Sequence, residues 1–462
     1  MSGKIAGIVL GLGMVVSCMA QQGGGWVVKQ EWVRAHEEFL ASDVMAGRGS
    51  ATRDEEITAT YVASEFMAYG LKPAPGMSGY IQSAEVVAPQ LDGKATLTVG
   101  SVMLREGQDF QLLTSSAEAT RGTLKKVAAV DAGQAEVKGA VVLLTGDPKT
   151  ALDAANGLVR RGATAVLVVQ SGASDELASM FGGKTQVRMR LAESKPTPGR
   201  TLVALTAEAV NRLAEEGNAK AELAVHVLPE GNVRRTFNAI GYLEGSDPSD
   251  GTILLTAHLD HLGVGRPVNG DSIFNGANDD AAGTAAVLEL AHALGAGPKL
   301  RRNVLFVCYG SEEAGTLGST YFGQHSPVPL KSLVANLEFE MIGTQDPKMP
   351  KGVLLLTGWE RSNLGPTLKE HGALLGPDPY PEQHFFQRSD NYALALKGVV
   401  AHTAAGWGTP PTYHQPSDDL AHLDIAFMTG AIQSLVEPVR WLAQSDFRPK
   451  WNEGGQPVAG SK

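Results

Sequence analysis

Thr256–Ala291 reads TAHLDHLGVGRPVNGDSIFNGANDDAAGTAAVLELA, and this stretch decides the fold. Ile253-Leu254-Leu255 leads into it as an apolar run with the character of a buried strand. The strand ends in His258 and Asp260. A loop rich in Gly, Pro and Asn follows, then Asn278-Asp279-Asp280, then an Ala/Leu-rich helix. A histidine and several carboxylates are thus delivered to one strand end and one helix start, where open α/β sheets place their sites. Nitrogen and oxygen donors together suit a hard or borderline cation such as zinc.

Outward from this stretch the same alternation continues. Thr236 to Leu243 begins the main sheet. The pattern then predicts a strand over 252–257, a helix over 279–294, a strand over 303–309 and a helix near 315–323. Strands over 333–340 and 352–357, a helix over 360–371, a strand over 398–402 and a long helix over 424–444 complete it. Strand–helix alternation implies an α/β fold, a mixed and mostly parallel sheet sandwiched by helices.

The 462 residues exceed one ordinary domain. Hydrophobic residues at 43% and charged residues at 19% describe a soluble globular protein, and a net charge of -10 argues against a nucleic-acid partner. Lys4, the apolar run Ile5 to Val16 and the small residues near Ala20 read as a signal peptide over 1–20, too short to span a bilayer. Val15-Val16-Ser17-Cys18 also resembles a lipobox, in which Cys18 would carry a lipid and anchor the chain to a membrane. The expected location is outside the cytoplasm, periplasmic or extracellular. Only one other cysteine exists, Cys308, and it lies in the apolar strand NVLFVCYG, where it reads as core. No intramolecular disulfide is then available to the mature chain. The sequence carries no signal for an oligomeric state.

Residues 26–92 form two helical segments, divided by a turn at Met45–Gly49 and closed by Leu71-Lys72-Pro73-Ala74-Pro75-Gly76. They read as an N-terminal layer of the main domain. Residues 93–229 change texture to short strands and turns with a small core of their own and no His or Cys cluster. Residues 230–447 carry the main domain, and 448–462 read as a flexible tail.

The opening stretch and three later motifs carry the candidate site residues. Spacing of two lets His258 act as a ligand with Asp260 as its orienting carboxylate. Asp279 at a helix start is either a cap or a carboxylate bridging two cations, and Asp280 beside it is the plain capping candidate. In GSEEAGTLGS, Ser311-Glu312-Glu313 follows a strand; one glutamate can bind metal while its neighbour reaches the water, the division that metal-assisted hydrolysis needs. In ANLEFEMIG, Glu338 and Glu340 share a face, so parity does not choose between them. Finally PPTYHQPSDD is a loop with Tyr413 and His414.

AHLDHLG, GANDDAAGT, GSEEAGTLGS, the strand ending EMIG and YHQPSDD, in that order, resemble the co-catalytic zinc aminopeptidases. That family includes secreted bacterial leucyl-type aminopeptidases and, more distantly, glutamate carboxypeptidase and the transferrin receptor. The resemblance spans about 236–445, and more weakly 30–90. KGAVVLLTGD and the helix and strand after it resemble a protease-associated domain, inserted over 93–229. The resemblance implies two zinc ions per chain: one on His258, Asp279 and Glu340, the other on Glu313, His414 and the second oxygen of Asp279. It implies Asp260 as the orienter of His258, Glu312 as general base and Tyr413 as a donor to the oxyanion. Relatives often carry Asp where Glu340 stands and His where Asn391 stands.

The expected activity is removal of N-terminal residues from peptides. Three alternatives share the scaffold. A dizinc carboxypeptidase needs a cationic pocket, for which Arg266 and Arg388 are candidates. A glutaminyl cyclase needs only one zinc. A non-catalytic binding protein would lack ligands.

Overall fold

The computed structural model describes residues 25–146, 148–169, 185–195, 201–228 and 231–458. The leader expected over 1–20, with Cys18, lies outside them. Among the described residues no helix is long and apolar enough to cross a membrane.

Helices α1 (Gln30–Leu40) and α2 (Arg53–Ala68) come first. Thr52 caps α2 by accepting the Asp54 N–H at 3.2 Å, and three acidic residues fill its first turn, where the helix dipole favours them. β1 (Ile81–Val87) follows, so the main sheet begins before Thr236, earlier than the sequence pattern suggests. Its strands continue with β2 (Val233–Leu243), β3 (Thr252–His258), β4 (Asn303–Tyr309) and β5 (Leu333–Glu340). β6 (Leu354–Leu356), β7 (Leu375–Pro377) and β8 (Ala401–Ala405) complete it.

In space the order is β7-β6-β8-β5-β3-β4-β2-β1, with Arg190–Leu191 as a short edge beyond β1. The four central strands, β8, β5, β3 and β4, are parallel, and the pairs β4–β2, β2–β1 and β6–β8 are antiparallel. All seven residues of β3 are buried, as expected of a parallel strand covered on both faces. Ile253, Leu255 and Ala257 pack with α3 (Ala282–Gly295) and the later α5 (Ile425–Gln444). Leu254 faces the other way, toward Phe322 of α4 (Leu317–Gln324) and Val399. Cys308 of β4 is fully buried, and burial pushes its thiol up.

The chain leaves β3 to form β4 on one side of it and then returns to form β5 on the other. β3 is therefore the switch point of the sheet, and the C-terminal ends of β3, β4, β5 and β8 open onto one crevice.

Among the described residues, strands lying between 96 and 224 build a second nine-stranded sheet with separate cores, one of them around Leu97, Leu124, Leu167 and Val203. The expected insert does not keep wholly apart from the main sheet, because Arg190–Leu191 pair with Val86 and Val87 of β1. The tail also differs from expectation. Through Val458 it is bound to the body: Trp451 donates to Gly398 O at 3.2 Å and packs on Phe386 and His402, and Asn452 bonds Arg361 and Glu360. One tryptophan on an apolar patch outweighs the Gly/Pro-rich composition around it.

Candidate active site

Chain segments meet at the crevice, and buried charged side chains fix them through hydrogen bonds. Arg48, fully buried, donates to Leu259 O, Leu40 O, Asn275 O and Gly276 O at 2.6–3.0 Å, joining the N-terminal layer to both ends of the opening motif. Glu55 accepts from Ala51, Thr236, Phe237 and both donors of Ser311, which fixes the residue before Glu312. Asp418 accepts the Asn278 and Asp279 N–H groups at 2.9 and 3.0 Å. Ser311, Met341 and His414 hold left-handed backbone at φ 54–55°, each beside or at a candidate ligand.

The neighbouring carboxylates that spacing left undistinguished differ in how far they are already engaged. Asp280 accepts from His258 N, Gly283 N and Met341 N, so it ties β3, α3 and β5 together. A Cβ on Gly283 would collide with that carboxylate, so the close approach needs glycine. Glu338 accepts from Asn391 N at 2.5 Å and Thr403 Oγ1 at 3.0 Å. Asp279 and Glu340 carry no such backbone bonds. With His258 they offer ligand atoms within 4.8 Å of one another.

Asp279 Oδ1 lies 3.3 Å from His258 Nε2, and its Oδ2 lies 3.3 Å from His414 Nε2. His414 Nε2 is also 3.3 Å from Glu313 Oε1. Two ligands each about 2.0–2.1 Å from one zinc in a tetrahedral shell are about 3.3 Å apart. His258 Nε2 and Glu313 Oε1 are buried without a hydrogen-bond partner. The donor set and its spacing fit two cations that share Asp279.

Charges follow the same layout. Burial would raise the Glu313 carboxyl, but His414 and His261 hold it down to about 2. Burial likewise opposes ionisation of Asp279, and His258 and His414 keep it well below the usual range. Glu312 goes the other way: burial, with Asp390 and Glu313 nearby, pushes it well above that range. Burial also raises Glu340 and Tyr413. Tyr413 stacks on His414, with ring centroids 3.9 Å apart.

The expected Asp260–His258 link takes a different form. His258 Nδ1 meets the backbone oxygen of Asp260 at 3.2 Å, while the carboxylate is 3.8 Å away. That carboxylate instead accepts from Glu312 N at 2.9 Å, Glu313 N at 3.4 Å and Ser50 Oγ at 2.6 Å. Sequence reasoning missed His261 altogether. It is fully buried, with Nδ1 2.9 Å from Glu313 Oε1. The available signal was the second histidine of HLDHLG.

The sequence signature of peptidase family M28 matches residues 238–437, the span that carries every candidate ligand above. Residues 238–437 thus resemble peptidase family M28. The chain is similar to the aminopeptidase YwaD of Bacillus subtilis, 24% identical over 205 residues, 43% of this chain and 42% of that one. It is similar as well to the probable lipoprotein aminopeptidase LpqL of Mycobacterium tuberculosis, 24% identical over 322 residues, 62% and 59% of the two chains. Leupeptin-inactivating enzyme 1 of Streptomyces exfoliatus is 34% identical over 113 residues, 24% of each chain. The matched region thus spans a quarter to three fifths of these curated relatives. In fold, the chain resembles the aminopeptidase from Aneurinibacillus sp. strain AM-1, at a TM-score of 0.59 with 18% identity, covering 90% of this chain and 94% of that one. The zinc aminopeptidase BSAP of Bacillus subtilis gives 0.57 with 20% identity over 91% and 96%.

Two spaces adjoin the candidate ligand cluster. A cavity of about 40 Å³ is lined by Glu340, Met341, Phe385, Arg388 and Tyr413. A wider cleft of about 270 Å³ is lined by Glu313, His261 and Arg234, and by Thr185, Val187 and Met189 of the 93–229 segment.

Proposed function

We propose that the chain is a zinc-dependent exopeptidase, an aminopeptidase that releases N-terminal residues from peptides. The observation that carries this reading is Asp279, whose two oxygens each stand 3.3 Å from a different histidine, with Glu312 beside them. Relatives bearing the name aminopeptidase support it.

His258, Asp279 and Glu340 would hold one zinc, and Asp279, Glu313 and His414 the other. When bound, the pair supplies Lewis acidity toward a water and a carbonyl. The residues of the chain do the rest. Glu312 takes a proton from the attacking water and returns it to the leaving amine. Tyr413 donates its O–H to the developing oxyanion. Asp260 keeps Glu312 and Glu313 on their separate tasks by gripping both backbone N–H groups. The 40 Å³ cavity has room for a side chain of a few heavy atoms, and the wider cleft receives the rest of the peptide.

A second reading rests on Arg388, whose guanidinium lies 5.1 Å above Phe385 at the smaller cavity. A cation there suits a C-terminal carboxylate, and with it a carboxypeptidase. One fluorogenic panel separates the readings. It contains free-N-terminus amino-acid amides, N-blocked peptides with a free C-terminus and N-terminal glutaminyl peptides, and zinc is quantified alongside. Hydrolysis of the amides at two zinc equivalents per chain is expected. Cleavage of only the N-blocked peptides would transfer the assignment to a carboxypeptidase. One equivalent with cyclisation of glutamine would transfer it to a cyclase. Export is part of the proposal, with removal of 1–20 or lipidation of Cys18. Mass analysis of chain recovered from a bacterial host would show an intact Met1 if export fails.

A further inference from the structure

We propose that His261 is a third histidine of the metal centre, an additional ligand, through Nδ1, to the ion held by Glu313 and His414. Its Nδ1 lies 2.9 Å from Glu313 Oε1 and 4.0 Å from Asp279 Oδ1. With those two residues it offers ligand atoms all within 4.8 Å of one another. At 2.9 Å a well-directed N–H···O would be a hydrogen bond. Yet Nδ1, Nε2 and Glu313 Oε1 are all buried without one. The nitrogen and the oxygen are therefore close but not aimed at each other. That is the relation of two ligands converging on a common point.

The plain alternative is a histidine of the core, and the same molecule shows what one looks like. His402 is equally buried, and both its ring nitrogens are satisfied, Nδ1 by Thr357 O at 2.8 Å and Nε2 by Ser362 Oγ at 2.7 Å. A buried imidazole with both nitrogens unpaired is costly unless something else binds it. His261 is also held in place. Its backbone N–H donates to Arg48 O at 3.1 Å. Gly276, at φ 61°, leaves room for the ring, since a Cβ there would collide with His261 Cγ. The T-shaped contact with His414, 5.7 Å between centroids, sets the two imidazoles side by side around Glu313.

The two ions then differ. One has His258, Asp279 and Glu340 as protein ligands. The other has Asp279, Glu313, His414 and His261, and so binds more tightly and fills first. This rests on the two-ion reading above, but its test reads metal rather than peptidase activity. The full metal-free chain is titrated with zinc against a chromophoric chelator, as wild type, His261→Ala and His261→Gln. His261→Ala should weaken one site by about 10²-fold or more, beyond the usual effect of an outer-shell partner, and leave the other nearly unchanged. Zinc X-ray absorption should count three imidazoles for two ions in the wild type and two in the variant. Wild-type affinity in His261→Ala overturns the proposal. So does rescue by His261→Gln, since an amide can hydrogen-bond Glu313 but is a poor zinc ligand. If His261→Ala does not fold, the wild-type count decides, and two imidazoles overturn the proposal. A wild-type chain saturating at one equivalent overturns both this proposal and the two-ion reading, and so is distinct from the variant outcomes.

Discussion

The carboxylate of Asp260 accepts the backbone N–H of Glu312 at 2.9 Å. A residue at the end of β3 thereby sets the direction of a side chain after β4. Asp260→Asn keeps the backbone oxygen that His258 contacts and one of the two side-chain acceptors. It also presents an amide donor to N–H and O–H groups that need an acceptor. Zinc affinity should fall by about 10–100-fold, as for outer-shell partners generally. At saturating zinc, kcat should remain depressed because Glu312 is misplaced. Full recovery of kcat by added zinc would reduce Asp260 to a metal-affinity role.

Glu312→Gln should leave both zinc equivalents in place and lower kcat by about 10²–10⁴-fold. Glutamine preserves the shape but cannot accept the proton. Loss of zinc in this variant would make Glu312 a ligand and reverse the roles assigned to the pair.

Much of this arrangement was legible in the chain. The buried run of β3 and the strand–helix alternation after it gave the order of elements, because parallel strands buried on both faces are continuous apolar runs. Choosing among neighbouring carboxylates was not possible from spacing. Asp279 differs from Asp280, and Glu340 from Glu338, only in which carboxylate already accepts backbone N–H groups from distant segments. Those partners are set by the tertiary fold. For the same reason His261 looked like any loop histidine until Glu313, fifty-two residues later in the chain, stood beside it. The pairing of β1 with β2 crosses the whole 93–229 segment, so no local pattern announces it.

Arg48→Met should destabilise the chain by about 3–5 kcal/mol, since it removes a fully buried cation and strands four backbone carbonyls. Burial raises Glu37 well above its usual range, and the Arg48 charge opposes that rise, so loss of Arg48 raises Glu37 further. Urea unfolding of the metal-free chain measures this as a lower midpoint at unchanged slope. A midpoint within error of the wild type would mean that the guanidinium is dispensable to the joint it makes between Leu259 and Gly276.

The chain leading into the second sheet and the chain leading out of it run side by side. Leu228 N donates to Gln90 O at 2.9 Å, Asp92 N donates to His226 O at 2.8 Å, and Leu91 faces Val227 across an antiparallel bridge. Their ends at Asp92 and His226 are thus already adjacent. Replacing 93–225 by an Asn-Gly turn should close them as a hairpin without strain. Every candidate ligand lies outside the excised segment, so the shortened chain should be soluble and should still bind two zinc equivalents. What it loses is the Arg190–Leu191 edge on β1 and the Thr185, Val187 and Met189 wall of the wider cleft. Turnover of amino-acid amides, which reach only the ligand cluster, should stay at the wild-type order of magnitude. The KM for longer peptides should rise by about tenfold, the loss of roughly 1.4 kcal/mol of contact. A shortened chain that folds but holds no zinc would show that the segment supports the metal centre itself rather than the far end of the substrate.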